Sequence, residues 1–229
     1  MNPKKYGNTK NMKNIPRVFI DTDIKPHTQI PISRDVAHYL SHVMRTNECL
    51  VFGNGNEYFA QLSDDNKQII VGNQTSHPDP SNNITLIFAP IKRTDDLLNM
   101  ATQMGIARFQ PVITERTTAH HINWDRMKKI VIQAAEQSNR NSVPEILQPI
   151  KFSDLTVSDL VFADERTAHG HIPEKKPNNT TTILVGPEGG FSDTEFTILD
   201  AGGAHGISLG KTILRAELAA AIAISKILE

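Results

Sequence analysis

The stretch Thr182-Ile-Leu-Val-Gly-Pro-Glu-Gly-Gly-Phe-Ser-Asp-Thr-Glu195 carries three instructions in one short run. Thr182 to Val185 is a β-rich apolar segment, the composition of a buried strand. Gly186, Gly189 and Gly190 then leave backbone N–H groups that a ligand can approach closely. Ser192-Asp-Thr-Glu195 is a capping box, which opens a helix that Gly202-Gly203 ends. A strand, a glycine loop and a capped helix in that order mark a parallel sheet, whose ligands sit beyond the carboxyl ends of the strands. The helix N-terminus adds a partial positive charge there.

Working outward, the same alternation recurs. Ile207 to Leu209 is a short strand, followed by the loop Leu209-Gly-Lys-Thr-Ile-Leu-Arg-Ala-Glu217 and a last helix over Leu214 to Leu228. Upstream, Ile84 to Phe88, Phe109 to Ile113 and Leu160 to Ala163 are strands. Thr94 is placed to cap a helix with Leu97, Leu98, Ala101 and Met104 on its apolar face, closed by Gly105. Asn123 is placed to cap another, with Trp124, Met127, Val131, Ala134 and Ala135 inward. Strands alternating with helices predict an α/β fold, a mostly parallel sheet with helices on both faces. The last helix has almost no polar face, so it must be buried on several sides.

The first third is different. Arg17 to Ile20, Leu50 to Phe52, Tyr58 to Ala60 and Gln68 to Val71 are short strands, and Gly53-Asn-Gly-Asn56 suits a hairpin loop because glycine and asparagine tolerate positive φ. Asp35 to Met44 has helical spacing, with Val36, Tyr39, Leu40 and Val43 on one face. Residues 72–83 are rich in Pro, Ser, Asn and Asp, the composition of a linker. The expected organisation is a basic tail over residues 1–14, a small β domain over 15–76 and the α/β domain over 77–229.

The 229 residues carry 24 Lys+Arg against 25 Asp+Glu, a net charge of −1, which argues against a protein that coats nucleic acid indiscriminately. The first twenty residues nonetheless hold Lys4, Lys5, Lys10, Lys13 and Arg17 and no acid. They are either a solvated tail or an arm that reaches phosphates. A single cysteine, Cys49, allows no internal disulfide and suits a reducing compartment. No apolar run is long enough to span a bilayer or to follow the N-terminal lysines as a signal peptide, so a soluble cytoplasmic protein is expected.

Several chemistries fail on spacing. A phosphate-binding Gly-Lys-Thr loop needs glycine five positions before Gly210, and His205 stands there. His38 and His42 lie four apart on one helix without a third ligand nearby, and His120-His121 and His169-x-His171 have no zinc spacing, so no metal is expected. Cys49 has no base partner in view.

At the two glycine loops the sequence closely resembles the signature of the ribosomal RNA small subunit methyltransferase E family, in the SPOUT class of knotted methyltransferases. The quoted stretch from Val185 to Ser192, followed by Leu209 to Glu217, carries that resemblance. Ala134-Ala-Glu-Gln-Ser-Asn-Arg140 resembles the family's Glu-Gln-x-x-Arg segment. Gly105 to Thr117, with Pro111 and Thr114-Glu-Arg-Thr117, looks like another, and Pro16-Arg-Val-Phe19 and His38 to Arg45 are similar to its N-terminal barrel. These motifs touch nearly the whole chain in the family's order.

The resemblance implies a PUA-like β-barrel that helps bind RNA and a C-terminal SPOUT domain whose last segment threads a trefoil knot, an arrangement no periodicity would propose. It further implies a homodimer through the C-terminal domain, S-adenosylmethionine as cofactor, and methylation of N3 of a uridine in small-subunit (16S) ribosomal RNA. An apolar slot with backbone groups at its edge is what such a cofactor needs. Leu184, Gly186, Gly189, Leu209, Gly210, Ile213 and Leu214 are the expected lining. Arg215 is expected to stabilise the uridine anion or its carbonyl oxygens, and Glu217 to act as base, to hold Arg215, or only to cap the helix. Arg17, Arg45 and Arg140 are the expected RNA contacts. Two departures stand out: Ala216 and Leu218 replace family threonines, and Asn139 stands where glycine is common. An RNA-binding scaffold that has lost activity, and a methyltransferase acting on transfer RNA, are the alternative readings.

Overall fold

The computed structural model describes residues 15–118, 123–171 and 181–228. The expected tail over residues 1–14 and the His120-His121 pair lie outside the described residues. The chain divides into two compact units, Met1–Asp79 and Pro80–Glu229.

In the first unit, β1 (Arg17–Phe19), β2 (Gln29–Pro31), β3 (Glu48–Gly53), β4 (Asn56–Leu62) and β5 (Gln68–Gln74) form one curled sheet in the order β1-β3-β4-β5-β2. The β1/β3 pair is parallel and the others antiparallel. The β3–β4 turn has Asn54 at φ 51° and Gly55 at φ 80°, both in the left-handed region that a two-residue hairpin with native twist demands. Val18, Leu40, Val51 and Ile69 form the core of the sheet's inner face. Cys49 is buried among them, and burial pushes its thiol up to about 12.

Two expectations fail here. Residues 72–74, assigned to a linker, belong to β5. The expected helix over Asp35 to Met44 is a short α1 (Arg34–His38) that continues as a π-helical turn over Tyr39–Val43. The wider winding rotates the i, i+3, i+4 stripe off a single face: Leu40 is fully buried, whereas Tyr39 and Val43 are exposed.

In the second unit, the main strand path runs β12-β10-β11-β6-β7-β8, with β9 also pairing to β7, and every pairing is parallel. The strands are β6 (Thr85–Phe88), β7 (Arg108–Ile113), β8 (Glu145–Ile146), β9 (Ile150–Lys151), β10 (Val161–Ala163), β11 (Thr182–Val185) and β12 (His205–Ile207). The helices are α2 (Thr94–Gln103), α3 (Trp124–Gln137), α4 (Asp193–Ala201) and α5 (Ala216–Leu228).

Side chains alternate across this sheet with period two. Leu86, Phe88, Ile183 and Val185 face α2, α3 and α5, where Leu98, Val131, Ala220 and Ile224 meet them. Ile87, Phe162 and Leu184 face the other way, onto Phe191, Phe196 and Leu199 around α4. The rings of Phe191 and Phe196 meet edge-on at 5.7 Å. This is the two-faced α/β architecture that the strand–helix alternation predicts.

The caps are mostly as expected. Asn123 accepts from the Arg126 amide at 3.0 Å, and the Ser192–Glu195 capping box is complete. Thr94 is instead the first residue inside α2, its hydroxyl bonded to Ile91 O at 2.8 Å. Asn139 has φ 57°, so the departure from glycine falls on a residue type that also tolerates the left-handed region. The last strand lies two residues earlier than expected. No described helix is long and apolar enough to cross a membrane.

Candidate functional site

The loops that follow β10, β11 and β12 leave the same end of the parallel sheet and enclose a cavity of about 410 Å³. That is room for a small organic ligand. Its apolar lining includes Ala163 and Val185 at two strand ends, with Leu209, Leu214 and Ala219 beyond the third.

The glycine loop after β11 is shaped by exclusion. A Cβ at Gly186 would sit 3.1 Å from the Phe191 ring, and one at Gly190 (φ 68°) would collide with the Glu165 carboxylate. Only glycine lets the backbone fold this closely while its amides stay near the cavity. The loop is pinned from outside as well. Arg116 donates to Gly189 O and Phe191 O, both at 3.1 Å, and the Lys92 amide donates to Glu188 Oε1 at 3.0 Å. Glu188 thus ties its loop to the segment after β6.

Six of the seven residues expected to hold a cofactor line this cavity: Gly186, Gly189, Leu209, Gly210, Ile213 and Leu214. Leu184 does not. It lies in mid-strand and, by the period-two alternation, points into the Phe162–Phe191–Phe196 cluster on the opposite face; Val185 takes its place. Arg215 lines the cavity and is exposed. Glu217 is not among the lining residues. It is buried in the first turn of α5, with its Oε1 3.8 Å from Arg93 Nε rather than paired to Arg215.

The three expected RNA contacts separate. Arg45 is exposed, at φ 53°. Arg17 is buried, its Nε donating to Glu57 Oε1 at 2.8 Å and its guanidinium 4.3 Å from the centre of the Phe52 ring. Arg140 is 1% exposed, donating to Thr102 O at 2.8 Å and Ile106 O at 2.9 Å. Both of these are structural arginines. Both are buried and hydrogen-bonded inside their own units, so neither is presented at the surface to a phosphate.

Sequence reading missed one wall entirely. Asp164, Glu165, Thr167 and Ala168, in the loop after β10, also line the cavity. The signal was present: Ala163-Asp-Glu-Arg166 directly follows an apolar strand, the position where the strand-end rule places ligands. Arg166 holds the buried Asp164 through two bonds of 2.8 and 2.9 Å and reaches Asp200 at 2.8 Å. Glu165 is half-buried and accepts from the Phe191 amide at 3.1 Å. Its burial, reinforced by the neighbouring Asp164, holds its carboxyl above the ordinary glutamate range. Among the described residues, no cluster of three or more His, Cys, Asp or Glu side chains could hold a metal ion.

A sequence profile described as an RNA methyltransferase domain matches residues 77–228. A ribosomal RNA small subunit methyltransferase E from Rickettsia conorii is 34% identical, over an alignment covering 92% of this chain and 94% of that protein. Its counterpart from Aquifex aeolicus is 28% identical, with 91% and 97% covered. Among solved structures, a ribosomal RNA small subunit methyltransferase E from Neisseria gonorrhoeae bound to S-adenosyl methionine superposes with a TM-score of 0.77. It is 27% identical and the match covers 93% of this chain and 96% of that one.

Proposed function

Because the chain belongs to the ribosomal RNA small subunit methyltransferase E family, we propose that it uses S-adenosylmethionine to methylate N3 of a uridine in small-subunit ribosomal RNA. The observation that carries this reading is the three-loop cavity, with Arg215 on its wall. The residues present fit the cofactor. The cavity has the right size, an apolar lining for a purine, and a glycine loop that brings backbone groups to the edge. Gly186, Gly189, Leu209, Gly210, Ile213 and Leu214, with Val185 in place of Leu184, would hold it. When bound, S-adenosylmethionine supplies an electrophilic methyl group on its sulfonium.

The chain's own residues have two tasks. One is to present a ring nitrogen that is hidden in any Watson–Crick pair, so the uridine must be unpaired or extruded. The other is to stabilise the charge left when the imide proton departs. Arg215 is suited to the second, since a guanidinium beside the uridine carbonyls favours the anion. Glu217 serves from behind, fixing the start of α5 through Arg93. The exposed Ile213, Leu218 and Leu228 fit a homodimer, and the enzyme acts in the cytoplasm on assembled subunits.

The test is transfer of labelled methyl from S-adenosylmethionine to small ribosomal subunits that lack this modification, with free ribosomal RNA and transfer RNA alongside. Label on N3 of one uridine in the subunit is the expected result. Label confined to transfer RNA would overturn the substrate. No label and no cofactor binding would leave an RNA-binding scaffold.

A further inference from the structure

We propose that Glu165 is a cofactor-binding residue of this chain, accepting hydrogen bonds from the ribose hydroxyls of the bound nucleoside. The inference rests on the reading of the cavity as an S-adenosylmethionine site and extends it to a wall that the glycine-loop motifs do not include.

Geometry makes the case. Glu165 lines the cavity on the loop after β10, two residues beyond the apolar Ala163. Its Oε1 is held by the Phe191 amide at 3.1 Å, and the carboxylate fills the space that a Cβ on Gly190 would need. The adjacent cation gives its hydrogen bonds elsewhere: Arg166 donates to both Asp164 and Asp200. A half-buried carboxylate oriented in this way still has acceptor lone pairs to satisfy, and each oxygen can take two donors.

The position of Glu165 selects among the donors the cofactor offers. Ala163 and Val185, apolar lining suited to a purine, end β10 and β11, and Glu165 follows Ala163 by two residues on the same wall. Arg215, the group suited to the substrate uridine, lies at the far end of its loop, just before α5. The nucleoside is therefore the part that meets Glu165. Vicinal hydroxyls donating to this carboxylate would offset part of the cost of burying its charge. An acidic residue reading a ribose hydroxyl beyond a strand end is the same solution that dinucleotide-binding sheets use.

The experiment is calorimetric titration of the full chain with S-adenosylmethionine, its demethylated product, 5′-methylthioadenosine and the latter's 2′-deoxy and 3′-deoxy counterparts, on wild type, Glu165→Ala and Glu165→Gln. In the wild type, loss of at least one hydroxyl should weaken binding roughly tenfold to a hundredfold, the worth of a hydrogen bond to a charged group. In Glu165→Ala the deoxy analogue and its parent should bind equally, and this coupling separates direct contact from a general loosening of the loop. Glu165→Gln, which keeps an oxygen for the Phe191 amide, should fold like the wild type and retain a reduced penalty.

A deoxy penalty that persists undiminished in Glu165→Ala would overturn the proposal, as would a wild type indifferent to both hydroxyls. Loss confined to S-adenosylmethionine and its demethylated product, with methylthioadenosine untouched, would move Glu165 to the methionine end and overturn it too. A wild type that binds none of these molecules would instead bring down the cofactor reading itself.

Discussion

The backbone N–H of Glu115 donates to Glu195 Oε1 at 2.8 Å, across eighty residues of sequence, while Glu195 Oε2 accepts from the Ser192 amide at 2.9 Å. One buried carboxylate therefore closes the capping box of α4 and ties that helix to the turn Thr114–Thr117. The same turn sends Arg116 to Gly189 O and Phe191 O. The glycine loop is braced on its outer side by a segment that is distant in sequence, and the capping box is the fastening point.

Replacing Glu195 should show this. Glu195→Ala strands two amides that each give a charge-assisted bond, so a loss of about 2–4 kcal/mol in urea unfolding is expected. Glu195→Gln keeps one acceptor oxygen and should lose about half as much. Both variants should bind S-adenosylmethionine more weakly than their stability change alone explains, because the loop loses its outer brace. Unchanged affinity in a folded Glu195→Ala protein would show that the glycine loop holds its shape without the turn.

Arg166 has a pH signature. It bridges the fully buried Asp164 and the half-exposed Asp200. Removing it with Arg166→Ala leaves Asp164 without its main partner, costing about 2–4 kcal/mol, with partial exposure of the pair keeping the figure low. The Arg166 hydrogen bonds hold the Asp200 carboxyl below the ordinary carboxylate range. A depressed carboxyl contributes its full stability above the unfolded pKa and loses it as the pH falls through the folded value. The stability gap between wild type and Arg166→Ala should therefore narrow on acidification below about pH 4. Thermal melts across that range measure it.

Much of this architecture is legible in the sequence, and the failures share a physical cause. Strand–helix alternation, the Asn123 cap, the Ser192 capping box and the Asn54–Gly55 turn are local patterns, and local chemistry decides them. Leu184 is expected beside the cofactor but faces the other side, because a four-residue strand gives no hint of which face is which until the sheet is assembled. Arg17 and Arg140 look like RNA contacts in a list of cations. Glu57 lies forty residues from Arg17, and the carbonyls of Thr102 and Ile106 more than thirty from Arg140, so no local window shows either burial. Glu165 went unnoticed for the converse reason: a short acidic turn carries little signal until the fold sets it across from Gly190.

Arg215 and Glu217 are two residues apart, yet the fold gives them different surroundings. Arg215 lines the cavity, and Glu217 turns away toward Arg93. Arg215→Ala should lower turnover roughly a hundredfold or more, the usual effect of removing a donor aimed at developing charge, while S-adenosylmethionine affinity changes only a few-fold. Glu217→Gln and Arg93→Gln should each cause a smaller loss of turnover, and the double variant should be no worse than either single one. Equal losses of turnover and cofactor affinity in Arg215→Ala would make it a binding residue only. A Glu217→Gln enzyme as crippled as Arg215→Ala would restore Glu217 to the chemistry.

The last helix makes a prediction about assembly. On one side of α5, Ala219, Ala220, Ala223 and Ile224 are buried within the unit. On another, Leu218, Ala221, Ile222 and Ser225 follow the i, i+3, i+4, i+7 spacing of a second face, and Leu218 is 45% exposed. Ile213, 68% exposed, precedes this face, and Leu228, 51% exposed, ends the helix. Leaving a leucine in water forgoes up to about 1.5–3 kcal/mol, so a helix with two apolar faces is best satisfied by a partner. A second copy of the chain presenting the same face would cover it with two-fold symmetry. Because Ile213 and Leu214 also line the cavity, such an interface adjoins it. Leu218→Asp places a charge at the centre of that contact, where desolvation without a partner is costly. Sedimentation should show a wild-type dimer and a Leu218→Asp monomer with normal helix content. The monomer should have weakened cofactor binding, since Ile213 and Leu214 lose the surface they pack beside. A wild type that sediments as a monomer would refute the interface, and would leave the exposed face of α5 to the RNA-bound state.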